Sequence, residues 1–88
     1  DFNCEPDEEP LQILEKGGMQ NTSKTAGITY GPSWSFHDFG RIPLDERVLL
    51  DYVFVTDGAK VDRYRVIQDT PENGFLSDHC PVLVDLTL

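Results

Sequence analysis

Val48-Leu49-Leu50-Asp51-Tyr52-Val53-Phe54-Val55 is the stretch on which the fold turns. Aliphatic, β-branched and aromatic residues fill it on both faces, which predicts a strand covered on both sides. One acid interrupts it. An ionised carboxylate in such a strand costs several kcal/mol unless it is paired and hydrogen-bonded. Leu49, Val53 and Val55 share the side of Asp51 and offer no partner, so the partner must come from elsewhere in the chain. His79 is the economical choice, because a carboxylate that accepts an imidazole N–H fixes the tautomer and stabilises the protonated ring.

Downstream, Ser77-Asp78-His79-Cys80-Pro81-Val82 sets an acid beside that imidazole at the mouth of a run that reads as a strand. Hydrolytic sites are often built so, one side chain holding a metal or phosphate while the other moves protons. Asp-His pairs are also common as ordinary polar surface, so a non-catalytic acidic interaction module with a structural Asp-His pair stands as the alternative. In the closing strand Val82, Val84, Leu86 and Leu88 alternate inward, with Asp85 and Thr87 outward. Residues 60–69 predict another strand, with Arg63 and Arg65 on its outer face. Asp57-Gly58 make a turn, and so do Thr70 to Gly74, including Pro71 and Asn73.

Upstream, Trp34-Ser35-Phe36-His37-Asp38-Phe39 alternates aromatic and polar residues. Trp34, Phe36 and Phe39 are expected as core anchors, with Ser35 and His37 on the other face and His37 a partly exposed strand histidine. Arg41 to Arg47 is a charged loop around Pro43. Residues 20–33 are polar and predict a long loop. Before them, Asp7 is the expected N-cap of a short helix through Leu11, Leu14 and Lys16. Glu8 and Glu9 then complement its dipole, and Gly17-Gly18 end it. At the start, Asp1-Phe2-Asn3 in extended conformation places Asp1 and Asn3 on one face and Phe2 on the other. That pair is suited to gripping a phosphate or positioning a water.

Eighty-eight residues make one domain at most, with no internal repeat and no linker. Sixteen acids against 7 bases give a net charge of -9. Such a balance opposes tight binding to a polyanion and suits a divalent cation, which seeks oxygen ligands. No apolar run approaches the roughly twenty residues that span a bilayer. Cys4 and Cys80 permit one bridge and demand none. No second histidine or cysteine stands at close ligand spacing, which argues against zinc. One helix and four or five strands, mostly antiparallel, indicate an α+β layer.

Taken together these motifs resemble the C-terminal part of the endonuclease/exonuclease/phosphatase superfamily. Asp1-Phe2-Asn3 matches its Gly-Asp-Phe-Asn strand without the glycine. Leu50-Asp51-Tyr52-Val53-Phe54-Val55 matches its Ile-Asp-Tyr-Ile-Phe-Val strand, and Ser77 to Val82 its Ser-Asp-His-x-Pro-Val ending. Ser35 to Phe39 is similar to its Thr-Phe-His-Gly-Phe stretch, with Ser35 in place of the threonine and Asp38 in place of the glycine. The resemblance implies half of a four-layer α/β sandwich, with residues 1–88 a C-terminal fragment of one domain and the N-terminal half absent. It also implies a metal-dependent phosphoesterase acting on phosphodiesters or phosphomonoesters of unknown class. In that scheme Asp1 positions or deprotonates the attacking water, Asn3 binds phosphate, and Asp51 orients His79. His79 contacts the phosphate, Asp78 lies at the Mg²⁺ or Mn²⁺ shell, and Ser35 and His37 lie on the substrate side. The missing half would supply a metal-binding Glu, an Asn and another His, so the chain is expected to be inactive alone. It is also expected to form a homo-oligomer through an exposed apolar sheet face.

Overall fold

The computed structural model describes residues 1–68 and 74–88. The expected turn around Pro71 and Asn73 lies outside them. The α+β character holds, with five strands divided between two sheets rather than laid side by side in one. A two-stranded antiparallel sheet joins β1 (Met19–Asn21) to β3 (Phe54–Thr56). A three-stranded sheet has the order β2-β4-β5, where β2 is Ile28–Tyr30, β4 is Lys60–Val66 and β5 is Val82–Thr87. β4 pairs parallel with β2 and antiparallel with β5. A register irregularity between Val61 and Arg63 brings Arg63 to the outer face.

Helix α1 spans Glu9–Lys16, with Pro10 in its first turn, where a missing N–H is harmless, and it gives way to Gly17 and Gly18 as the sequence predicts. Its cap is not the expected one. Glu8 occupies that position without a side-chain hydrogen bond to the helix, while Asp7 takes a left-handed backbone (φ 71°). The Asp7 carboxylate goes instead to Lys24 Nζ, 2.9 Å away, and Lys24 also reaches Glu15 at 3.1 Å. A cross-chain cation thus displaces local capping.

Residues 20–33 are more ordered than their polarity suggests. They contain the end of β1, the one-turn helix α2 (Thr22–Thr25) and β2. Asn21 caps α2, its Oδ1 accepting from the Ser23 amide at 3.1 Å. These elements were hidden because strands of three residues, one of them wholly exposed, carry no hydrophobic period. The converse holds for Val48 to Val55, of which Phe54 and Val55 alone join a ladder. From Val48 to Val53 the chain finds its hydrogen-bond partners outside any strand ladder. Val48 O accepts from the Ser35 and Phe36 amides, Leu50 O from Phe2, and Val53 O from Thr22.

The core is Leu11, Trp34, Leu49, Tyr52, Tyr64, Val66 and Cys80. Tyr64 and Val66 come from the inner face of the three-stranded sheet, with Val82 and Val84 beside them. Leu86 and Leu88 were expected inside and are exposed; β5 is an edge strand and Leu88 lies past its end. Phe39 is likewise exposed. On the outer face Ile28, Tyr30 and Leu83 alternate in register with Arg63, Arg65 and Asp85, so the exposed face is mixed rather than wholly apolar. Cys4 and Cys80 are both free thiols. Among the described residues no helix is long and apolar enough to cross a membrane.

Candidate active site

The Ser35-Phe36 segment holds the two site-bearing stretches together. Phe36 forms single antiparallel bridges to Val48 on one side and to His79 on the other. Ser35 O accepts from the Cys80 amide at 2.7 Å. Its hydroxyl accepts from the Leu50 and Asp51 amides at 3.0 and 3.2 Å. Residues 35, 51 and 79 are thus brought into one place by a serine that is 0% exposed. Ser35 was expected on the strand face opposite the aromatic anchors and is buried, its hydroxyl accepting from the chain's own backbone. That hydroxyl holds the backbone at Leu50 and Asp51.

Asp51 and His79 meet as the sequence predicts. Asp51 Oδ2 lies 2.6 Å from His79 Nδ1, with the two side chains 16% and 22% exposed. A carboxylate can only accept, so Nδ1 carries the proton and Nε2 is left facing the other acids. Asp1 Oδ2 is 3.6 Å from Nε2 and Asp78 Oδ1 is 4.0 Å from it. Burial by itself would raise the Asp51 carboxyl. Hydrogen bonds from His79 and Ser35, with the charge of His79, outweigh it and hold Asp51 below the usual carboxylate range. Behind the pair the Phe36 ring packs on the imidazole, 4.9 Å between centroids.

Asp1-Phe2-Asn3 is not a strand. Phe2 is anchored to the Leu50 carbonyl at 2.9 Å, and its ring stacks on Phe54 and meets Tyr52 edge-on. Asn3 has a left-handed backbone (φ 50°), its amide donating 2.8 Å to Asp1 Oδ1. The Asx turn fixes the Asp1 carboxylate near His79, whereas the left-handed kink ends the period-two alternation that would carry Asn3 to the same face.

His37 departs furthest from expectation: it is 2% exposed. Asp38, Phe39 and Gly40 take left-handed backbones in succession (φ 51°, 55° and 78°) and curl the chain around the ring. Gly40 N–H donates to His37 Nδ1 at 3.1 Å, and the Ile42 amide to the His37 carbonyl at 3.2 Å. Aspartate tolerates the left-handed region, which explains how Asp38 stands where the similar stretch has glycine. Burial first, then the neighbouring Arg47 charge, lowers the His37 pKa. Sequence reasoning missed Arg47, whose guanidinium lies 4.5 Å from the Trp34 ring centroid. A basic residue at the end of a charged loop gave no sign of that stacking.

No protein-family model and no curated protein matches the chain. Solved structures do. An endonuclease/exonuclease/phosphatase from Bacteroides vulgatus superposes with a TM-score of 0.91 at 34% identity, over 100% of this chain and 34% of that one. A conserved protein of unknown function from Enterococcus faecalis V583 gives 0.84 at 30% identity, covering 99% and 34%. The mannosyl-6-phosphatase of Bacteroides thetaiotaomicron VPI-5482 gives 0.85 at 27%, covering 100% and 36%. The fold and the motif order define part of a phosphoesterase-type α/β domain. The chain is similar along its whole length to solved structures of the endonuclease/exonuclease/phosphatase family and spans about a third of the length of the structures it matches.

Proposed function

We propose that this chain carries one side of a metal-assisted phosphoesterase site and does not turn over substrate alone. The observation that carries the reading is the Asp51–His79 contact of 2.6 Å, with the Asp1 carboxylate 3.6 Å beyond on the other ring nitrogen. In this arrangement Asp51 holds the imidazole in one tautomer and stabilises its protonated form. His79 Nε2, on the open side, donates to a phosphoryl oxygen when protonated and accepts a proton when neutral. Asp1 orients the attacking water. Turnover requires a cation and further donors around the developing charge, which this set does not complete.

The donor chemistry suits Mg²⁺ or Mn²⁺ in part. Ligand atoms of Asp1, Asp51 and His79 lie within 4.8 Å of one another. Asp51 is committed to His79, so Asp1 and Asp78 are the residues that would hold the ion through oxygen, with Mg²⁺ commonly bound by one or two carboxylates plus substrate phosphate. Bound, it would neutralise phosphoryl oxygen charge. The mannosyl-6-phosphatase among the similar structures makes phosphomonoesters a substrate class to test first.

Mn²⁺ titration followed by NMR tests the assignment. Paramagnetic broadening centred on Asp1, Asp78 and His79 is expected; broadening centred on the acidic cluster Glu5 to Glu9 would overturn it. Hydrolysis of bis-(4-nitrophenyl) phosphate or 4-nitrophenyl phosphate with Mg²⁺ should be absent, and a measurable rate removed by His79→Gln would overturn the inactivity.

A further inference from the structure

A cavity of about 290 Å³ opens beside the candidate site and shares His79 with it. Its polar members are His37, Arg47, Gln68, Ser77 and His79, and among the described residues neither aspartate nor glutamate lines it. In a chain of 16 acids against 7 bases, a wall whose one permanent charge is positive marks a place where an anion is not repelled. Arg47 is also held in place. Its Nε donates to the Ile42 carbonyl at 2.8 Å, and its guanidinium sits over the Trp34 ring, 4.5 Å from the centroid. The bond to Ile42 is its one hydrogen bond among the described residues, so the N–H fork of the terminal nitrogens is kept for another partner. The charge also reaches the surrounding wall. At His37 it acts more strongly than that of Asp78 or Asp38, and at Cys80 more strongly than that of Asp51.

Resting on the phosphoesterase reading of His79, we propose that this cavity receives a second oxyanion, a carboxylate or phosphate carried by the organic part of the phosphate ester, and that Arg47 binds it through its terminal N–H fork. A guanidinium fork matches two oxyanion oxygens at once, with charge on both sides of each hydrogen bond. A neutral hydroxyl in the same place displaces water from the fork and returns a weaker bond. Gln68 and Ser77 can add neutral hydrogen bonds to either kind of ligand, so the discrimination rests on Arg47. It is a specificity-determining residue that touches the far end of the substrate, and the reacting phosphoryl lies at His79.

NMR titrations of the 88-residue chain with two pairs of esters test this. The pairs are 3-phosphoglycerate against glycerol 3-phosphate, and glucitol 1,6-bisphosphate against glucitol 6-phosphate, each differing in an anionic or neutral far end at one of two lengths. In at least one pair the second anion should tighten binding about tenfold and move the Trp34 indole and Arg47 Nε signals. Arg47→Gln should bring that pair to within about twofold, whereas Arg47→Lys, which keeps the charge without the fork, should retain part of the preference. Inorganic phosphate, with no second group, should be weakened far less by either substitution. Equal affinities within both pairs in the wild type, or a preference that Arg47→Gln leaves intact, would overturn the proposal. Inorganic phosphate also separates the two readings. Its silence at His79 sinks the phosphoesterase reading, and a preference for the doubly anionic ester with shifts at Trp34 and Arg47 would still support the anion pocket.

Discussion

Replacing Asp51 by Asn preserves shape and one acceptor oxygen and removes the charge that holds His79. The wild-type contact is a charge-assisted hydrogen bond at 2.6 Å, to a carboxylate 16% exposed. Such bonds are worth about 1.5–3 kcal/mol, and partial solvation places this one in the lower half of that range. In a domain of this size each kcal/mol moves the melting temperature by about 4–8 °C, so Asp51→Asn should melt roughly 6–18 °C lower at neutral pH. The pH dependence has a definite sign. The folded-state pKa of Asp51 is depressed, so its contribution is present above the unfolded value near 3.9 and is lost as pH falls through the folded one. Circular-dichroism melts of both proteins should therefore differ most at neutral pH and converge well below pH 4. A cycle with His79→Gln should show coupling above about 0.5 kcal/mol. Equal melting temperatures at neutral pH, a gap unchanged in acid, or strictly additive single effects would refute the pairing as the source of stability.

Ser35→Ala leaves the Leu50 and Asp51 amides without their shared acceptor in a fully buried position, and should cost about 2–3 kcal/mol in denaturant unfolding. His37 is held below the ordinary histidine value, so its contribution is present above about pH 6.5 and lost as pH falls towards its folded value. His37→Asn should therefore lose less stability than the wild type between pH 7 and 5, as read by melts at both. Gly31 has φ 86°, and an added Cβ would come within 2.1 Å of the Val66 carbonyl oxygen, whereas at Gly58 (φ 101°) nothing lies within 4 Å. Gly58→Ala should cost about 1–2 kcal/mol and Gly31→Ala clearly more, compared by chemical denaturation. Equal losses would show that Gly31 is not pinned by its neighbour.

Much of this was legible because it is local chemistry. Pro10 and Gly17 mark the ends of α1 wherever the helix packs, and an acid among Val, Leu and Tyr demands a partner in any fold. Asp51 and His79 could be paired from sequence since few other groups satisfy a half-buried carboxylate. The three-residue strands were not legible, because their hydrogen bonds come from segments far along the chain and their side chains carry no period. The burial of His37 was hidden too: alternation placed it outward, and three left-handed residues then turned it in.

The order of residues alone therefore settled the class of fold, the motif set and which acid seeks which imidazole, since those follow from side-chain chemistry and short-range periodicity. Only the folded chain decided that Ser35 clamps residues 50 and 51 to residue 80, that Asp1 is turned onto the far side of the ring, and that His37 lines a cavity beside it. Those outcomes depend on backbone groups finding partners many residues away, and no local pattern encodes which partner each will find.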